Sequence, residues 1–398
     1  MSKVWRTLTL SLLCALAPVC LAACEQRTRP ASGVEVSSKS TTPTNTSAPA
    51  EKPLEVRSLP ESAWRGVCFA HNWQKMGLAG YGTDASAEAL DHLKSLGANW
   101  VSITPFGWMS SEKEAVIRGE YDRVMPGAGE TKGRVERVIA QARARDIKVM
   151  LKPHIWIRGG AWRGSIDPRV DGKQAWDAWW ESYRVFILYY ARVAAEQEVD
   201  SLVVGVELVS AVKANPEQFI RTIEAVREVY DGHLTYSANW DEEVSPSVWS
   251  ALDAIGVQLY PPLSKEKNPS DEALDEALDK HLKWWTAQAE RVDKPILLTE
   301  VGYKSTPTSV IEPFGWPENL PEKERVPDQQ IQARAYAALF RAIPRHPRVQ
   351  GVFIWKYFTD KDTDEEGPYG FSPRGKKAEE ILSAAFQADE KGSVQEVE

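Results

Sequence analysis

The sequence predicts an α/β protein built as a single (β/α)8 TIM barrel, and three observations carry that expectation. Short apolar or β-branched runs alternate with segments of helical period, and the alternation repeats eight times. The connections entering the runs are short ("LGANW", "RDIKV", "YDGHL", "VDKPI", "HPRVQG"), whereas several leaving them are long: residues 107–131, 157–173, 261–271, 302–327 and 358–375. No Gly-rich phosphate loop follows the first strand, as the nucleotide-binding form of the competing doubly wound sheet requires.

In chain order, residues 1–23 read as an export signal. Lys3 and Arg6 precede "LTLSLLCALAPVCLAAC", a run too short for a comfortable membrane span and ending in small residues. Leu21-Ala22-Ala23-Cys24 resembles the bacterial lipobox, which implies a lipidated Cys24 and an exported, membrane-anchored lipoprotein facing the periplasm or the cell exterior. Of the four cysteines, Cys14 and Cys20 leave with the signal and Cys24 is acylated, so Cys68 remains without a disulfide partner. Residues 24–57 are rich in Ser, Thr, Pro and Lys and read as a flexible tether. The barrel is expected over 58–388, followed by a disordered tail at 389–398.

The eight strands are read at 65–73 (RGVCFAHNW), 99–108 (NWVSITPFGW), 147–156 (IKVMLKPHIW), 200–208 (DSLVVGVEL), 233–240 (HLTYSANW), 254–261 (AIGVQLYP), 294–303 (KPILLTEVGY) and 350–358 (QGVFIWKYF). Helical segments separate them, from "SAEALDHLKSL" to "PDQQIQARAYAALFRAI", and "KKAEEILSAAF" closes the domain. In the third, Trp176, Trp179, Trp180, Tyr183, Phe186, Ile187 and Tyr190 recur at spacings of three and four. They form one apolar face packed on the barrel, and Asp177, Glu181, Arg184 and Arg192 exclude a membrane helix.

The net charge of −8 and the absence of any Lys/Arg block argue against a nucleic-acid partner. Sixteen tryptophans suit the flat apolar faces of sugars, although tryptophan is also ordinary core. Only the end of the barrel where strands finish is elaborated, the end that carries active sites in this architecture. The residues gathered there are His71, Asn72 and Trp73; Lys152, His154 and Trp156; Glu207; Asn239 and Trp240; Tyr260; Glu300; Trp355 and Lys356. Glu207 is the one carboxylate in "VVGVELV", where an unpaired charge is costly. Glu207 and Glu300 close the fourth and seventh strands, nearly across the barrel mouth. Such a pair suits glycosidic bond cleavage, which needs one protonated and one ionised carboxyl group.

"VVGVELVS" and "PILLTEVGYKS" resemble the corresponding segments of the large retaining glycosidase clan built on this barrel, as do "LKPHIW", "YSANWD", "IGVQLYPPL" and "GVFIWKYF". Together they look most like glycoside hydrolase family 113, whose best-known activity is endo-β-1,4-mannanase; the similarity runs from about 65 to 380. The resemblance implies Glu207 as acid/base, Glu300 as nucleophile, Tyr260 beside the nucleophile and Trp355 as a platform under the sugar. Trp73, Lys152, His154 and Asn239 complete the candidate sugar contacts. Many clan members carry Asn before the acid/base to bond the sugar 2-hydroxyl, and this chain has Val206. That contact then falls to His154 or Asn239, or the activity is altered.

Each residue also has a purely structural reading: His154 as a rim histidine, Asn239 as a turn former, Trp355 as core, Tyr260 as an anchor for the following prolines, Lys152 as an ion-pair partner of a carboxylate. Asp360, Asp362 and Asp364 suggest a calcium loop, but Glu365 and Phe371 stand where its glycine and bidentate glutamate belong. "GAGETKG" lacks the Gly-Lys-Ser/Thr of a phosphate loop. The histidines show no zinc spacing, and neither metal nor cofactor is expected. The expectation is a monomeric retaining glycosidase acting on β-mannan or a related β-glycan. A β-glucanase or other β-glycosidase, and a surface lipoprotein that binds glycan without cutting it, are the alternatives.

Overall fold

All eight expected strands form, and they close on themselves. The computed structural model describes residues 53–73, 78–119, 129–360, 366–387 and 393–397, all within one compact unit. The chain enters through β1 (Leu54–Arg57), β2 (Trp64–Ala70), α1 (Asp84–Ser95), β3 (Trp100–Ile103), β4 (Phe106–Met109) and α2 (Lys132–Arg143). It continues through β5 (Lys148–Leu151), β6 (His154–Ile157), α3 (Lys173–Glu196), β7 (Ser201–Val206), α4 (Val209–Ala214), α5 (Pro216–Arg227) and β8 (His233–Asn239). The last part comprises α6 (Pro246–Ser250), β9 (Ala254–Gln258), α7 (Asp271–Val292), β10 (Ile296–Val301), α8 (Gln329–Ala342), β11 (Val349–Phe358), α9 (Lys377–Phe386) and β12 (Val394–Val397). Strands β2, β3, β5, β7, β8, β9, β10 and β11 form the closed, all-parallel barrel in that order.

Strand alternation divides the apolar residues into two cores. Cys68, Trp100, Met150, Val203, Ala254, Leu297 and Phe353 cluster inside the barrel, while Val67, Val101, Val149, Leu202, Ile255, Leu298 and Val352 join the larger core under the helices. A Cβ on Gly66 would lie 2.3 Å from the Phe353 ring, so that position must be bare for the interior to fill. The aromatic face of α3 is buried as its spacing predicts, with Trp179 stacked on Tyr183 at 5.2 Å.

Two expected strands are each cut in two by a proline. Pro105 and Pro153 have no N–H for the ladder, so "NWVSITPFGW" becomes β3 and β4, and "IKVMLKPHIW" becomes β5 and β6. The outer halves pair with each other as a parallel two-stranded sheet above the barrel. Gly107 leaves room there for the Phe186 ring, which a Cβ would approach to 2.7 Å.

Short segments within the expected tether and tail are paired with each other. Leu54–Arg57 and Val394–Val397 pair as an antiparallel ladder, Leu54 opposite Val397 and Arg57 opposite Val394. The alternating Leu54 and Val56 turn into the core, with Val56 fully buried, which anchors both segments to the domain. The signal at 1–23, Cys24, and the acidic loop positions Asp362, Asp364 and Glu365 lie outside the described residues, as does part of "GAGETKG". Among the described residues no His/Cys/Asp/Glu cluster has the arrangement of a metal site, and no helix is long and apolar enough to cross a membrane.

Candidate active site

Register irregularities mark the barrel rim where the site is built. They fall between Val203 and Val206 on β7, between Leu298 and Val301 on β10, and between Trp355 and Tyr357 on β11. Such breaks re-aim side chains at the end of a ladder. Glu207 follows β7 with φ of 49°, a left-handed conformation rare outside glycine, and its N–H donates to Ser237 O on β8. The acid therefore leaves the strand's alternation while its backbone stays tied to the barrel.

The two carboxylates are buried in opposite electrostatic settings. Glu207 Oε2 accepts from Trp162 Nε1 at 3.2 Å and from Arg163 Nη1 at 3.0 Å. Burial pushes its carboxyl above the usual range, Arg163 pulls it back, Glu300 adds to the rise, and the net shift is upward. Glu300 Oε1 accepts from Lys152 Nζ at 2.6 Å and Gln258 Nε2 at 3.2 Å, and Oε2 accepts from the Tyr260 hydroxyl at 3.1 Å. Burial alone would raise this carboxyl too, but the Lys152 charge and the remaining contacts outweigh it and hold Glu300 at about 2. One acid is thus disposed to carry a proton and the other to stay ionised.

His154 lies beside Glu300. Its Nε2 is 3.4 Å from Glu300 Oε1, too long for a well-formed hydrogen bond, and neither ring nitrogen has a hydrogen-bond partner. Burial lowers it to about 3, so the ring is neutral at physiological pH. It stacks on Trp355, centroids 6.1 Å apart and planes 13° apart, which places the Trp355 indole beside Glu300.

Two cavities flank the carboxylates. One, of about 710 Å³, is walled by Trp73, Phe106, Trp108, Trp156, Trp316 and Trp355. Much of that wall is the β4–β6 sheet, whose cross-strand pairs Phe106–His154 and Trp108–Trp156 share one face by strand alternation. The other, of about 720 Å³, is lined by Trp162, Trp240, Trp284, Lys213, Glu242 and His281. Neither wall includes Glu207 or Glu300 itself. The first cavity includes Trp355, which stacks on the His154 beside Glu300, and the second includes Trp162, which donates to Glu207.

The structure brings Glu207, Glu300, His154, Tyr260 and Trp355 together, and sets Trp73 on the first cavity wall. The Lys152 side chain has no exposed surface, and its ammonium contacts Glu300, Thr299 O and Cys68 Sγ, the ion-pair reading of that residue. Asn239 is engaged locally, its Nδ2 on Asp241 and its N–H on Glu242 Oε2. Sequence reasoning missed Trp162, Arg163 and Gln258. The first two lie in a long loop already assigned to the working face, and Gln258 is the one polar residue of β9. Both signals were present without a partner to interpret them.

Comparison with known proteins agrees with this geometry. The family model described as Glycoside Hydrolase Family 113 matches residues 69–373. A solved complex of a GH113 β-1,4-mannanase shares 24% identity, covering 82% of this chain and 99% of its own, with a TM-score of 0.69. The GH113 β-mannanase AaManA from Alicyclobacillus acidocaldarius, solved with ManMIm, shares 27% identity over 82% of this chain and 97% of its own, with a TM-score of 0.68. A family 5 mannosidase from Rhizomucor miehei, 10% identical with a TM-score of 0.51, shares the fold. No curated protein matches by sequence. The family match spans the barrel from β2 to the segment before α9, with both buried carboxylates inside it, and the chain belongs to glycoside hydrolase family 113 as an enzyme that hydrolyses glycosidic bonds.

Proposed function

We propose that the chain is a retaining β-1,4-mannanase, with Glu300 as nucleophile and Glu207 as acid/base. The observation that carries the roles is the opposite environment of the two acids. Glu207 is buried with a raised pKa, and Glu300 is held at about 2 beside Lys152. In the first step a Glu300 carboxylate oxygen bonds to the anomeric carbon, the glycosidic C–O bond breaks, and the Glu207 proton passes to the leaving oxygen. In the second, water attacks the anomeric carbon and gives its proton to Glu207, and the electron pair of the ester bond returns to Glu300.

The solved β-1,4-mannanase and the β-mannanase AaManA support mannan as substrate. The aromatic cavity beside Trp355 and the second beside Trp162 support a chain that extends to both sides of the cleavage point. Val206 is buried and apolar and offers nothing to a 2-hydroxyl, whereas the unpartnered ring nitrogens of His154 suit that contact. The leader and its lipobox-like Cys24 support an exported lipoprotein, which membrane fractionation of wild type and Cys24→Ala tests.

The decisive experiment is reducing-sugar release from a panel of β-mannans and β-glucans, with Glu300→Ala as control and proton NMR of the first-formed anomer. Release from mannan as the β-anomer, lost in Glu300→Ala, is expected. Release from glucan alone overturns the substrate, and an α-anomer first product overturns retention.

A further inference from the structure

Glu207 must be protonated in the first half of the proposed reaction and ionised in the second, so whatever contacts its carboxylate sets the balance. Among the described residues Arg163 is the one cation in contact with it, Nη1 to Oε2 at 3.0 Å. The same oxygen takes the Trp162 indole N–H, and Oε1 receives no protein hydrogen bond among the described residues. Arg163 Nε donates to Ile155 O at the β4–β6 sheet, and among the described residues no second carboxylate pairs with the guanidinium. The cation is therefore fixed by backbone and aimed at one oxygen of one acid.

Of the other charged groups around Glu207, Lys152 acts in the same direction but more weakly than Arg163. Lys152, past the end of β5, is committed to Glu300. His154 on β6 is neutral at physiological pH. Glu300 on β10 and Glu242 after β8 both oppose a charge on Glu207.

We propose that Arg163 is a positioning residue for the acid/base: it stabilises Glu207 as the carboxylate that accepts a proton from water in the second step, and by occupying Oε2 it leaves Oε1 as the oxygen that exchanges the proton. This rests on the acid/base role of Glu207 proposed above. Without Arg163, the largest influence opposing burial is gone, only the Trp162 N–H and the Lys152 charge still favour the carboxylate, and Glu207 holds its proton to higher pH. Protonating the leaving group is then unimpaired, while activating water at neutral pH becomes harder.

The test is the pH profile of kcat/KM for the full chain as wild type, Arg163→Met, Arg163→Lys and Glu207→Ala, on whichever β-glycan of the panel is hydrolysed. Arg163→Met is expected to move the alkaline limb up by about one pH unit or more, and Arg163→Lys to return it most of the way. With an activated aryl β-glycoside, for which the second step limits, Arg163→Met is expected to lower kcat at pH 7 about tenfold. An alkaline limb that vanishes in Glu207→Ala but is unmoved in Arg163→Met overturns this proposal and spares the acid/base assignment. A limb that persists in Glu207→Ala overturns both. If Arg163→Met does not fold, the carbon-13 titration of the Glu207 carboxyl in Arg163→Gln replaces it, and a titration unchanged from wild type overturns the proposal.

Discussion

Lys152 Nζ lies 2.6 Å from Glu300 Oε1, and the lysine side chain has no exposed surface. Taking two charges out of water is expensive, and the loss is offset only where geometry is good and the remaining donors are satisfied. Here the ammonium also reaches Thr299 O at 2.9 Å and Cys68 Sγ at 3.5 Å. Lys152 is thus a fixed positive charge beside the Glu300 carboxylate, placed to keep it ionised. Replacing it by Met leaves a buried carboxylate alone, so stability is expected to fall by about 3–5 kcal/mol or Glu300 to take up a proton. The folded fraction is expected to show an acid limb of kcat/KM shifted to higher pH. An unshifted acid limb sinks this account.

Glu207→Ala separates the two half reactions. Hydrolysis of mannan is expected to fall by about 100-fold or more, the usual contribution of a positioned proton donor. An activated aryl glycoside, whose leaving group needs no proton, is expected to form the covalent intermediate nearly normally. Added azide then accelerates turnover and yields a β-glycosyl azide. The absence of that product by mass spectrometry and NMR contradicts Glu207 as acid/base.

Trp108 and Trp156 pair across the β4–β6 sheet and wall the aromatic cavity. Stacking on one such ring is worth about 0.5–1.5 kcal/mol, so Trp156→Ala is expected to lower kcat/KM on polymer by up to about tenfold, mainly through KM. Steady-state kinetics on polymer and on a short aryl glycoside check this. An equal loss on both places the ring at the cleavage point instead.

Glu242 is buried, bonded to the Tyr236 hydroxyl and to Asn239 N–H, and raised from 4.5 to about 8, chiefly by burial. Its folded pKa lies above the unfolded one, so its contribution to stability is full below about 4.5 and is lost as pH rises through about 8. The slope across that window is at most about 1.4 kcal/mol per pH unit. Glu242→Gln keeps the hydrogen-bonding shape and is expected to flatten the fall in stability over that range in denaturant titrations at several pH values. A slope identical to wild type refutes the assignment.

The β1–β12 ladder ties residues more than 330 apart, with Gln395 Nε2 also donating to Ser58 Oγ. Truncation after Gln387 is expected to lower the melting temperature by a few degrees, through the lost ladder bonds and the uncovered Val56. Activity at 25 °C is expected to persist, because the ladder takes no part in the site. Calorimetry of the truncated chain, with an assay alongside, checks both halves.

By itself the sequence determined the barrel, its eight strands, its working face and the two acids. These are local signals: alternation, loop lengths, and lone carboxylates at the ends of apolar runs such as "VVGVEL". Residues 99–108 and 147–156 read as unbroken strands, and neither their division at Pro105 and Pro153 nor the pairing of the freed halves was legible there. Barrel closure decided what the acids mean, because the contacts that set their protonation join residues remote in sequence. Lys152 reaches Glu300 across 148 positions, Gln258 reaches it across 42, and Arg163 reaches Glu207 across 44. Residue type and spacing do not encode such pairings. Once closure sets Lys152, Gln258 and Tyr260 beside Glu300 and buries Glu207 against Arg163, the two carboxyl groups become physically distinct.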